Sequence, residues 1–188
     1  ATNYADYVVT EAGFGADAGA MKFIDILTRD NKFDLCASVL VTTIRALKEC
    51  GDGELEKGIY NLATHVNNLL LMNSNVIVTI NKFDDDSIDD IDFIKNFSKS
   101  LGVKCVINDV YQSGGYGALD LAKEIVEIEE KNKINYLYEL DDSLYNKIDS
   151  YVKDICHVAG FTCSFEVMNK INSFDKYKYP ICVAKTQY

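Results

Sequence analysis

Residues 8 to 23 read V-V-T-E-A-G-F-G-A-D-A-G-A-M-K-F, and their order decides the fold class. Val8 and Val9 close a short apolar strand, Glu11 follows, Gly13 and Gly15 flank Phe14, and a helix opens near Ala16. Glycine lacks a Cβ, so the backbone at 13 and 15 can take positive φ and lie close against a ligand. The first amides of the following helix have no intrahelical partner and carry partial positive charge. A strand, a glycine turn and a helix start together form an anion cradle. The same arrangement also closes tight corners in proteins that bind nothing there, and the bare pattern leaves both readings open.

Outward from this turn, strand-like and helix-like runs alternate. Strands are expected over 7–10, 37–44, 75–80 and 104–110, with shorter ones at 136–140 and 181–185. Helices are expected over 16–27, 55–72, 90–101 and 117–131, then through Leu144 to Ile155 and over 166–174. The run 37–44 is almost continuously apolar, as in a strand covered on both faces. In 55–72, residues Ile59, Leu62, Ala63, Val66, Leu69 and Leu70 fall on one helical stripe. This alternation predicts an α/β fold with a mostly parallel sheet flanked by helices. The division expected is a core over 1–131, then a helical extension or subdomain over 132–188. Ligands of such sheets bind beyond the carboxyl ends of the strands. The glycine turn, Asn81-Lys82-Phe83 and Tyr111 each follow a strand and are expected along that one edge.

Composition narrows the function classes. The chain has 188 residues, 48% of them apolar, enough for a buried core. Its net charge of −10 argues against nucleic acid as a partner, since that needs a basic face. No apolar run approaches the roughly 20 residues that span a bilayer, and no signal peptide is read, so no membrane partner is expected. Six scattered cysteines without a C-x-x-C suit a reducing cytoplasm. The abrupt ends read as cuts in a longer protein. Cys156, His157 and Cys163 match no common zinc spacing, so no metal site is expected there.

Several stretches carry chemistry. T-I-R-A-L-K-E-C-G spans 43–51, V-I-V-T-I-N-K-F-D spans 76–84, D-V-Y-Q-S-G-G-Y-G spans 109–117, and C-V-A-K-T-Q-Y ends the chain. Phe83 and Tyr111 follow neighbouring strands and could form a slot for a flat ring, with Ile107 lining it. The plainer reading makes both aromatics core residues. Arg45 and Lys48 are either partners for an anionic ligand or solvated charges at a helix start. Ser87 with Asp90 three residues later reads as a helix cap. The acidic run 84–92 lacks the glycine and closing Glu of a calcium loop. Asn81-Lys82-Phe83-Asp84 spells N-K-x-D, as guanine readers do, but no phosphate loop precedes it. Gly114-Gly115-Tyr116-Gly117 reads as a strand-to-helix turn, and His65, without a partner motif, as structural.

Taken with E-A-G-F-G-A-D at 11–17, these stretches closely resemble, in order, the formate–tetrahydrofolate ligase family. The resemblance covers the whole chain, but only a middle portion of that enzyme. The family has Trp where Tyr111 stands, Pro where Asp84 stands and Glu where Tyr116 stands. The resemblance implies a P-loop-NTPase-like, Rossmann-like architecture. It also implies an ATP-dependent ligation of formate to tetrahydrofolate through formyl phosphate. Its implied cofactors are Mg2+ and a monovalent cation such as K+ or NH4+, and its implied assembly is a homotetramer. By this resemblance Phe83, Tyr111 and Ile107 hold the pterin, while Phe14 and Gly15 face the formyl phosphate. Gly13 belongs to the same loop. Glu11 could hold a magnesium water or orient an amine, and Arg45 and Lys48 could meet the glutamate tail of the folate. The phosphate loop G-x-x-x-x-G-K-[ST] is absent from these residues, so the piece is expected to be inactive alone. The alternative is a non-catalytic folate-binding or structural fragment.

Overall fold

The structure, a computed structural model, describes residues 3–30, 35–73, 75–129 and 132–184. It divides into two compact units: Leu35–Lys133, and Ala1–Asp34 together with Ile134–Tyr188. These boundaries differ from the expected division at 131, because the first residues group with the stretch from Ile134 onward.

The unit Leu35–Lys133 is a parallel α/β layer. Strands β1 (Ser38–Thr42), β2 (Val76–Asn81) and β3 (Lys104–Asn108) lie side by side in the order β1-β2-β3. Thr42 pairs with Ile80, Ile80 with Ile107, and Asn81 with Asn108, so the three carboxyl ends finish level. The central β2 is buried from Val76 through Ile80, which is why its sequence is apolar without alternation. Helices α1 (Ile44–Cys50), α2 (Leu55–Met72), α3 (Ile88–Ser100), α4 (Val110–Ser113) and α5 (Leu119–Val126) flank the sheet. Helix α2 packs on β1 and β2, and α3 and α5 pack on β3. Its buried stripe is Leu55, Ile59, Leu62, Val66, Leu69 and Met72, each contributing about 1.5–3 kcal/mol of burial.

Local chemistry sets the helix starts. The Thr43 hydroxyl accepts the Ala46 amide at 3.0 Å, and the Ser87 hydroxyl accepts the Asp90 amide at 3.1 Å. Each satisfies an orphan donor of its first turn, as the Ser87–Asp90 spacing predicts. At the amino edge of the sheet, Asn73 Nδ2 donates to Ser38 Oγ and Asn75 Nδ2 to the Cys36 carbonyl, at 3.1 and 3.0 Å.

The other unit is helical. A π-helical run over Gly15–Ala20 leads through Met21 and Lys22 into a second over Phe23–Leu27 and a 3-10 turn over Thr28–Asp30. Helix α6 (Leu144–Ser150) continues as a π-helical turn, Tyr151–Ile155, and α7 is Phe165–Phe174. Ala16, Met21, Ile24, Tyr138, Tyr151, Ile155 and Ile171 form its buried apolar set. Two cations, the half-buried Arg29 and the buried Lys147, join the segments. The Arg29 guanidinium lies over the Tyr136 and Tyr138 rings at 4.0 and 4.9 Å and donates to the Tyr138 carbonyl at 2.8 Å. The Lys147 ammonium donates to the Leu140 and Tyr179 carbonyls at 2.6 and 3.0 Å.

Three expected strands are not strands. Residues 7–10 pair with no strand among the described residues, and Val9 is 91% exposed; an apolar run becomes a strand only where a neighbour completes its ladder. Residues 136–140 enter a turn, in which the Glu139 amide donates to the Asp142 carboxylate at 2.8 Å and the Asp142 amide to the Glu139 carbonyl at 3.1 Å. At 181–184 the Ile181 amide donates to the Tyr138 hydroxyl instead of a ladder partner. Lys185, Thr186, Gln187 and Tyr188 lie outside the described residues, as do Glu130 and Lys131. The helix expected over 117–131 is α5, preceded by a 3-10 turn over Gly114–Ala118.

Candidate functional site

In the sheet unit the level carboxyl ends build one polar rim. Asn108 Nδ2 donates to Asn81 Oδ1 at 2.9 Å, and the Lys82 amide donates to the Asn108 carbonyl at 3.0 Å. One step further out, Gln112 Nε2 donates to Asp84 Oδ1 at 2.6 Å. That bond joins the residue after Phe83 to the residue after Tyr111, so the two loops that carry the rings are neighbours. The Phe83 amide is held by the Asp86 carboxylate at 2.8 Å. Phe83 is 40% exposed and Tyr111 is 94% exposed, so neither ring belongs to the core. Ile107, in register with the buried Ile80, is half-buried at the end of β3.

Arg45 and Lys48 reach the same rim from α1. Arg45 Nη2 meets Asp85 Oδ1 at 2.5 Å, and its guanidinium lies 4.0 Å from the Phe83 ring centroid. The hydrogen bond from Arg45 holds the Asp85 carboxyl below its ordinary range. Lys48 Nζ meets Asp90 Oδ2 at 2.7 Å; this bond lowers the Asp90 pKa and raises that of Lys48. Each cation therefore already has a carboxylate partner, and an added anion would have to compete with it. Asp85, Asn108 and Gln112 are the members of this rim that sequence reasoning did not single out, and Asp84 was named without its bond to Gln112. Their residue types are visible in the acidic run and around Tyr111, but the partners of Gln112 and Asp85 lie 28 and 40 residues away in the chain.

In the helical unit, Glu11, Gly13, Phe14 and Gly15 are exposed. Gly15 has φ +76°, while Gly13 is not among the positive-φ glycines. A Cβ at Gly19 would fall 1.8 Å from the Gly13 carbonyl oxygen, so the turn also folds tightly back on the helix that it opens. The close approach of Gly13 to Gly19 gives the corner reading of the motif a physical basis in this loop. Among the described residues no three His, Cys, Asp or Glu side chains gather as a metal site. No helix among the described residues is long and apolar enough to cross a membrane.

A parallel sheet with exposed rings and paired charges beyond its strand ends defines an α/β protein of the kind that takes ligands at that edge. The model of the formate–tetrahydrofolate ligase family matches residues 1–188. The chain belongs to the formate–tetrahydrofolate ligase family. It is 39% identical over 203 residues to the formate–tetrahydrofolate ligases of Staphylococcus aureus strains JH9 and JH1, and 38% identical to that of strain NCTC 8325. Each match covers 100% of this chain and 37% of the relative.

Proposed function

We propose that this chain supplies part of an ATP-dependent ligase that joins formate to tetrahydrofolate. A formate oxygen attacks the γ-phosphorus of ATP, and ADP leaves. The N10 amine of tetrahydrofolate then attacks the formyl carbon, phosphate leaves with the C–O bonding pair, and N10 loses its proton to give 10-formyltetrahydrofolate. Charge gathers on phosphoryl and carbonyl oxygens, so oriented N–H donors matter most. Within the sheet unit, Phe83 and Tyr111 are the pterin-stacking rings and Ile107 lines their slot. Within the helical unit, Phe14 and the Gly13–Gly15 turn present amides to the formyl phosphate, and Glu11 orients the attacking amine. Magnesium arrives with ATP, and no step is assigned to it or to a monovalent cation. Six free thiols suit a cytoplasmic protein, and the family resemblance favours a homotetramer.

One observation carries the folate reading: two aromatic side chains stand exposed on adjacent loops at the strand ends of a chain that belongs to this family. In the complete ligase carrying these residues, Phe83→Ala and Tyr111→Ala should each raise the KM for tetrahydrofolate about tenfold. One stacked ring contributes about 0.5–1.5 kcal/mol beyond its buried area. The KM values for ATP and formate should stay within twofold. A tetrahydrofolate KM unmoved by both substitutions removes the pterin slot. The 188-residue chain alone, which lacks a phosphate loop, should not turn over; single-turnover formylation by it would refute that.

A further inference from the structure

The geometry points to Arg45 as a positioning residue for pterin stacking: it covers one face of Phe83 and leaves the opposite face as the stacking surface. This inference rests on the folate reading of Phe83 given above. The guanidinium lies 4.0 Å from the Phe83 centroid, within the range of an attractive cation–ring contact. It does not hang there freely, because Asp85 Oδ1 holds its Nη2 at 2.5 Å. Asp85 sits in the turn directly after Phe83, and the Phe83 amide is bound by the Asp86 carboxylate at 2.8 Å. Ring, turn and guanidinium therefore constrain one another. Arg45 stands in the first turn of α1, just beyond β1, whereas Phe83 follows β2. The contact thus links the ends of two adjacent strands and sets the ring relative to the sheet. A ring held from one side gives up less rotamer freedom when a ligand stacks on the other. Asp85 belongs to the same device: its carboxylate aims the guanidinium.

A planar guanidinium can stack and hold Asp85 together, and lysine keeps the charge without the plane. In the complete ligase, Arg45→Gln should raise the KM for tetrahydrofolate about three- to tenfold, with kcat and the KM values for ATP and formate within twofold. Arg45→Lys should recover part of that loss, and Asp85→Asn should lose less than Arg45→Gln. The melting temperature of each variant should stay close to the parent's, since the pair is exposed. Three results overturn the inference: an unchanged tetrahydrofolate KM in Arg45→Gln, a parallel rise for all three substrates, or a lower tetrahydrofolate KM. The last would mean that the guanidinium occupies the face the pterin needs. Phe83→Ala run alongside separates the two levels. If it raises the tetrahydrofolate KM while Arg45→Gln does not, only the role of Arg45 fails; if neither variant moves it, stacking on Phe83 falls too.

Discussion

Gly15 and Gly19 sit four residues apart in one turn and need to be glycine for different reasons. Gly15 takes φ +76°, where a side chain strains the backbone, and a Cβ there would meet the Asp17 carboxylate oxygen at 2.4 Å. That oxygen ends a short side chain and can turn away, so the cost of Gly15→Ala is mainly conformational, about 1–2 kcal/mol. At Gly19 the clash is with backbone, 1.8 Å from the Gly13 carbonyl oxygen, and relief requires the whole turn to move. Urea unfolding of the chain should therefore place Gly19→Ala below Gly15→Ala in stability, and both below the parent. The reverse order would mean that the turn is held by its backbone angle and not by the close approach of 13 to 19.

Helix α2 carries the clearest link between an element and pH. His65 lies on it between the buried Leu62 and Val66, half-buried, and its Nδ1 has no hydrogen-bond partner among the described residues. Burial pushes its pKa below the usual 6.5. The unfolded chain then takes up a proton first, so stability is fully present above pH 6.5 and is lost as pH falls from there toward the depressed value. Urea midpoints at pH 7.5 and 5.5 should differ in the parent, and His65→Leu should shrink that difference; equal drops would assign the effect to other groups. Elements such as α2 and β2 were legible because their evidence is local: an apolar stripe of helical period, and a short unbroken apolar run. The Ser87 cap was legible for the same reason. Residues 7–10 have the composition of a strand, but a strand exists by pairing, and pairing is not local. The rim shows the same limit. Phe83 and Tyr111 could be picked as rings after strands, whereas the bond of Arg45 to Asp85 and that of Gln112 to Asp84 exist only once separate strands have been laid side by side.

At the scale of the molecule, the two units differ in how the chain builds them. Leu35–Lys133 is one continuous stretch, while the other unit joins two stretches separated by it. The continuous unit holds its own core: Leu47, the α2 stripe, Val76 through Ile80, Ile91, Ile94 and Val103 are all buried, and all lie within it. Its polar ties are internal as well, from Asn73 to Ser38 and Asn75 to Cys36 at one edge of the sheet, and from Asn108 to Asn81 and Gln112 to Asp84 at the other. A chain of about 100 residues is long enough to bury a core of this kind. Expressed alone, residues 35–133 should unfold in one cooperative urea transition and give dispersed amide resonances. The halves 1–34 and 134–188 should do neither as separate peptides. Each carries only part of the apolar set, and mixing them adds an association cost that the connected chain does not meet. If 35–133 instead melts without cooperativity, the parallel sheet depends on the helical unit, and the rim that carries Arg45, Phe83 and Tyr111 is not a property of this stretch alone.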